Sequence, residues 1–198
     1  MANRKDQKEN TRQKLLTAAA ICFAEKGYSG CSVSDIAKRA EVAKSTMYVH
    51  FETKAALYKA IMEEEHAQGA DKARQAADVK PYLNGILGAM TGCITDVGFP
   101  VDHRLWIEIL AVAAREASIR ETFLASDKEM RAVFIQLLGK AAEADEIDGS
   151  LDLDAVSVWL YALVDGLIAR TADDPAFDFQ KHLEIFEALV KRALQPQV

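Results

Sequence analysis

SVSDIAKRAEVAKSTMYVHFETK, residues 32–54, reads as two short helices joined by a tight turn, and the rest of the chain looks arranged around it. Ser32 is a good N-cap and Asp35 completes a capping box, so a helix is expected from Val33 to about Ala40, with Ile36, Ala37 and Ala40 on its inner face. After Glu41, Val42 and Ala43, a second helix should span Lys44 to about His50, with Met47 and Phe51 one turn apart and inward. Lys44, Ser45, Thr46, Tyr48 and His50 then point outward. That surface is small, polar, donor-rich and aromatic, on a helix short enough to enter a major groove by its N-terminal end. The pattern is a helix-turn-helix; the competing reading is a helical hairpin that merely packs.

Charge supports the first reading once it is split along the chain. The overall balance of −6 is unpromising for a polyanion partner, but residues 1–54 hold 10 Lys and Arg against 6 Asp and Glu, a net of +4. The remaining residues carry 14 against 24, a net of −10. A basic end coincident with the helix-turn-helix is the electrostatic footprint that phosphate binding needs.

The 32–54 stretch closely resembles the DNA-binding domain of the TetR/AcrR family of helix-turn-helix transcriptional regulators, matching it at DIAKRA, then V, KST, Y, HF and the Lys that opens the next helix. The resemblance implies that Lys44, Ser45 and Thr46 sit at the groove, that Tyr48 and His50 hold phosphates or base edges, and that Lys54 grips the backbone. Ser32 and Ser34 join this DNA-binding set. Two departures stand out. Glu41 occupies a turn position where the family usually has Gly and where a left-handed backbone is disfavoured for other residues. Ala43 replaces the usual Ser cap, which costs about 1 kcal/mol.

The 198 residues are half hydrophobic, 27% charged, and contain only four prolines and ten glycines, so the chain reads as all-α, with about nine helices and no strand alternation. No run is expected to reach the apolar length of a membrane helix, and the polar start MANRKDQKEN suggests neither leader nor anchor, so a cytoplasmic location with no membrane partner is expected. Cys22, Cys31 and Cys93 lack metal or disulfide spacing and read as buried small thiols.

Residues 1–52 form the expected DNA-binding domain, with 1–10 as a disordered arm and a first helix from Asn10 or Thr11 to a C-cap at Gly27. Residues 53–198 form the expected effector-binding and dimerisation domain, linked by a helix that starts at Thr53 and runs towards Asp78. From Pro81 the chain resembles the ligand-binding half of the same family. Gly85, Gly88 and Gly92 mark a helix face either thinned for close packing or hollowed for a ligand. Further helices are expected over Arg104–Glu116, from a Ser118–Glu121 capping box to about Ala144, after Asp152 or Asp154, and after Asp178.

The segment AVSVWLYALVDGLIAR is apolar on nearly every side and must be buried on more than one face. Pairing it and the last helix with their copies would give a four-helix homodimer interface through Val158, Leu163, Gly166, Leu167, Phe186 and Val190. Met90, Phe99, Trp106, Phe123, Phe134, Trp159 and Tyr161 are candidates for an effector pocket, on helices that enclose the ligand in proteins this one resembles.

No nucleophile elbow, metal-ligand pair or kinase signature appears, so no enzyme, metal or cofactor is expected. His66 follows three glutamates on what reads as a solvated face, and Glu108 has Arg104 one turn away as an ordinary ion-pair partner. The chain thus reads as a ligand-released homodimeric repressor binding double-stranded operator DNA and a small-molecule effector. The alternative is a helical dimeric interaction protein that has lost operator binding.

Overall fold

The computed structural model describes residues 4–95, 102–174 and 176–196, and among them nine helices and no strand. These are α1 (Arg4–Gly30), α2 (Val33–Arg39), α3 (Lys44–His50), α4 (Lys54–Ala76), α5 (Tyr82–Thr95), α6 (His103–Arg115), α7 (Ala117–Glu143), α8 (Leu153–Asp173) and α9 (Phe179–Leu194). The expected break at 52–53 falls in the turn between α3 and α4. The compact units are divided differently, one holding residues 1–65 and 98–124, the other residues 66–97 and 125–198.

The first unit is built on α1, whose Leu15, Leu16, Ala19 and Phe23 are fully buried. Ile36, Met47, Leu57, Tyr58 and Met62 from α2 to α4, and Leu105 and Ile109 from α6, are buried in the same unit. Each buried Leu, Ile, Met or Phe among them contributes about 1.5–3 kcal/mol by leaving water. α1 departs from expectation at its start, since residues from Arg4 onward are helical rather than a disordered arm. Thr11 does not cap; its hydroxyl bonds back to the Gln7 carbonyl at 2.9 Å inside the helix. At the other end Gly27 leaves helical geometry at φ 69°, as its expected C-cap role requires, before one further turn.

In the second unit, Ile86, Met90 and Ile94 of α5, Phe134, Leu137 and Leu138 of α7, Leu160, Val164 and Ile168 of α8, and Leu183, Phe186, Val190 and Leu194 of α9 are buried. Gly85 is there for close packing, because a Cβ at that position would lie 2.5 Å from the Ala76 carbonyl oxygen. Caps fall at Thr53, whose hydroxyl accepts from Ala56, at Asp152 and at Asp178. The expected capping box at Ser118 does not form: α7 already includes Ala117, so Ser118 lies inside it.

Among the described residues α8 is long and apolar enough to span a membrane by length and composition, with a mean hydropathy of 1.3, contrary to the sequence expectation. Only 22% of that apolar window is buried in the protomer. Its inner flank is nevertheless tied to protein: Ser157, 0% exposed, accepts from Arg131 at 3.1 Å, and Arg131 also reaches Asp127 and Asp154.

Candidate nucleic-acid interface

The helix-turn-helix forms as its residues dictate. Ser32 accepts from the Asp35 amide at 3.1 Å while Asp35 accepts from the Ser32 amide at 3.0 Å, closing the capping box. The Ser32 hydroxyl bond, followed by Lys26 at 2.9 Å, holds the Asp35 carboxyl well below the usual carboxylate range. α2 ends in a Schellman turn: the Glu41 amide donates to the Lys38 carbonyl and the Val42 amide to Ala37. That motif requires a left-handed residue after the C-cap, and Glu41 supplies it at φ 57° without a glycine's freedom. Ala43 caps α3 with extended backbone and no side-chain bond, as its residue type dictates.

On α3, Met47 is fully buried, Lys44 and Ser45 are exposed, Tyr48 is 47% exposed, and Thr46 and His50 are half-buried. Ser34 is exposed at the start of α2, while the Ser32 hydroxyl is engaged with Asp35. Arg39 is paired with Glu25 and Lys26 with Asp35. Lys44 takes part in none of the ion pairs found among the described residues. Glu41 is also exposed, an acidic group in the turn that leads to α3. Sequence reasoning passed over Val49, which is 72% exposed on the same helix.

Lys54 has an internal engagement that sequence spacing did not reveal. Its ammonium donates to the Tyr28 carbonyl at 2.6 Å and the Cys31 carbonyl at 3.0 Å, and lies 4.4 Å from the Tyr28 ring centre. Glu108 does not turn to Arg104; its carboxylate accepts the Tyr28 amide at 2.6 Å. Tyr28 is therefore held by its carbonyl from α4 and by its amide from α6, with its ring against Phe23 and Tyr58. This clamp fixes the end of α1 beside the turn into α2.

The remaining candidate residues lie in both units. Trp106 and Phe123 meet at 6.3 Å in the first, and Phe134 and Tyr161 meet edge-on at 5.4 Å in the second, where Met90 is fully buried. Phe99 lies outside the described residues. Trp159, expected in a pocket, is 41% exposed. Phe186 and Val190, expected at a dimer interface, belong to the protomer core at 5% and 0% exposure, because α9 turns that stripe inward. Among the described residues the exposed large apolar side chains of α9 are Ile185 and Leu189, and those of α8 are Val158 and Trp159. Leu163 and Leu167 are half-buried, and a Cβ on Gly166 would meet nothing within 4 Å. His66, expected on a solvated face, is 2% exposed with Nδ1 at 2.6 Å from the Ser126 hydroxyl, and burial lowers its pKa to about 4.

Residues 15–61 match the model of the bacterial regulatory proteins of the TetR family, and residues 93–195 match that of the BetI-type transcriptional repressor C-terminal domain. The HTH-type transcriptional repressor AcnR of Corynebacterium efficiens is 24% identical over 192 residues, which cover 94% of this chain and 96% of that protein. The fatty acid degradation regulator FadR of Bacillus halodurans superposes with a TM-score of 0.82 at 20% identity, covering 94% of this chain and 97% of that one. FadR of Bacillus subtilis in complex with stearoyl-CoA superposes at 0.77 and 19% identity, covering 92% and 99%. With a matched N-terminal segment, a matched C-terminal half and the helix-turn-helix geometry in place, the chain belongs to the TetR family of bacterial transcriptional regulators.

Proposed function

We propose that the protein is a ligand-released, homodimeric repressor that reads a palindromic operator through two copies of α3. The observation that carries this reading is the outer face of α3, where Lys44, Ser45 and Tyr48 stand exposed on the basic end of the chain. Lys44 and Ser45 address base edges, Thr46 and His50 flank them, and Tyr48 meets the phosphate backbone. Lys54 contributes by holding Tyr28 and the end of α1, with at most its remaining hydrogen directed to a phosphate.

Dimerisation uses the apolar residues that α8 and α9 leave outside the protomer, Val158, Trp159, Ile185 and Leu189, with Gly166 allowing close approach. An apolar or aromatic effector enters the C-terminal half, in keeping with the apolar acyl chain of the stearoyl-CoA in complex with the Bacillus subtilis FadR, and α4 transmits its presence. It shifts the operator-bound population only by its differential affinity for the two states. The protein works in the cytoplasm, as a regulator rather than an enzyme.

A second reading, an interaction protein that no longer binds operator, is favoured by acidic Glu41 and by Ala43 without a side-chain cap bond. Selection of duplexes from a random library by the full-length protein separates the two. Enrichment of a palindrome with half-sites about 34–36 Å apart, or a multiple of that, supports the repressor. Failure to enrich any sequence leaves the second reading.

A further inference from the structure

We propose that Val49 is a specificity residue that reads the C5-methyl group of a thymine in each operator half-site, an inference that rests on the DNA-binding reading above. Val49 is the most exposed large apolar side chain among the described residues, at 72%. At about 100° per residue, Ser45 and Val49 are each displaced by about 200° from Met47, so they stand opposite the buried face of α3. They form the crest of the helix that would go deepest into a groove, with exposed Tyr48 on one flank and half-buried Thr46 on the other.

Nothing within the chain calls for valine at this place. The side chain packs on little of its own protein, and a β-branched residue is a poorer helix former than alanine in a helix of seven residues. The surrounding charge, +4 over residues 1–54, and the Ser45 hydroxyl one turn before it suit a polyanion rather than an apolar protein surface. In the major groove the apolar feature available to such a side chain is the thymine methyl. Val49 therefore supplies an apolar contact where Lys44 and Ser45 supply hydrogen bonds.

The test uses the full-length protein and the duplex it enriches from a random library, with each thymine replaced in turn by deoxyuridine, which removes only the methyl group. Fluorescence anisotropy should show one thymine per half-site whose replacement weakens binding about fourfold, or about 0.8 kcal/mol at 1.4 kcal/mol per factor of ten. Val49→Ala, which removes the contact from both half-sites, should bind the thymine duplex about sixteenfold more weakly and be indifferent to deoxyuridine at either position. Its melting temperature should equal or slightly exceed the parent's, since the side chain is exposed and alanine is the better helix former. A parent with no sensitive thymine, or a Val49→Ala variant that keeps the same deoxyuridine penalty, overturns the assignment while leaving operator binding intact. If no duplex is enriched at all, the DNA-binding reading falls and this inference falls with it.

Discussion

Replacing Glu108 by alanine should loosen the end of α1, although residue 108 lies far from it in sequence. The carboxylate accepts the Tyr28 amide at 2.6 Å, and the same oxygen lies 3.1 Å from where a Cβ on Gly27 would be. A hydrogen bond to a charged acceptor contributes about 1.5–3 kcal/mol, and a half-buried amide left without it regains part of that from water. Tyr28 is half-buried, so the net loss for Glu108→Ala is expected at about 1–2 kcal/mol. For a chain of this size each 1 kcal/mol moves the melting temperature by about 2–4 °C, giving a drop of about 2–8 °C. Glu108→Gln keeps an acceptor without the charge and should lose roughly half as much. Calorimetry gives the melting temperatures, and amide hydrogen exchange at Tyr28 locates the effect, with faster exchange there and little change in α9. If Glu108→Ala melts with the parent and the Tyr28 amide exchanges at the parent rate, the clamp does not hold the first unit together and its coupling of α6 to α1 must be given up.

Three other substitutions or conditions have defined outcomes. His66 has a folded pKa lowered to about 4 from 6.5, so the stability it contributes is fully present above about pH 6.5 and is lost as pH falls towards 4. Urea titrations at pH 8 and pH 5 should differ by about 2 kcal/mol from this group, and His66→Gln should remove that part of the difference. Gly166→Arg, placed where a Cβ meets nothing within the protomer, should leave the helical content unchanged and convert a sedimenting dimer to a monomer; a variant that stays dimeric refutes the assigned face. Glu41→Gly relieves a left-handed backbone at φ 57° and should raise the urea midpoint by up to about 1 kcal/mol in stability, whereas a lowered midpoint would show that Glu41 is not strained.

What was legible in the sequence was local. The capping box at Ser32, the caps at Asp152 and Asp178 and the left-handed demand at Glu41 depend on residues within four positions of one another, so spacing alone determines them. What escaped depended on contacts between distant segments. Lys54 and Glu108 looked like a phosphate contact and a helix-surface ion pair, yet both converge on Tyr28, a residue whose backbone needs cannot be read from its letter. His66 was obscured by three glutamates before it, because charge density along a helix says nothing of which face α7 covers. The boundary between compact units was hidden for the same reason, since α4 and α7 each contribute residues to both.

The last two helices show why apolar periodicity locates a face but not its partner. On α9 the residues Leu183, Phe186, Val190 and Leu194 form one stripe, and Ile185 and Leu189 lie directly beside it, so the apolar arc is wider than one neighbour can cover. A core, a dimer seam and a bilayer all accept the same side chains, and hydropathy alone would admit α8 to any of the three. Polar atoms and empty space separate the core flank of α8 from its uncovered flank. Ser157, fully buried and bonded to Arg131, marks the flank of α8 that faces its own protein. Gly166, with open space where a Cβ would stand, marks a flank that its own protomer leaves uncovered. A second copy would bring the same Val158 and Trp159 to the opposite side of a two-fold axis, so one exposed face supplies both halves of a seam without any new residue type.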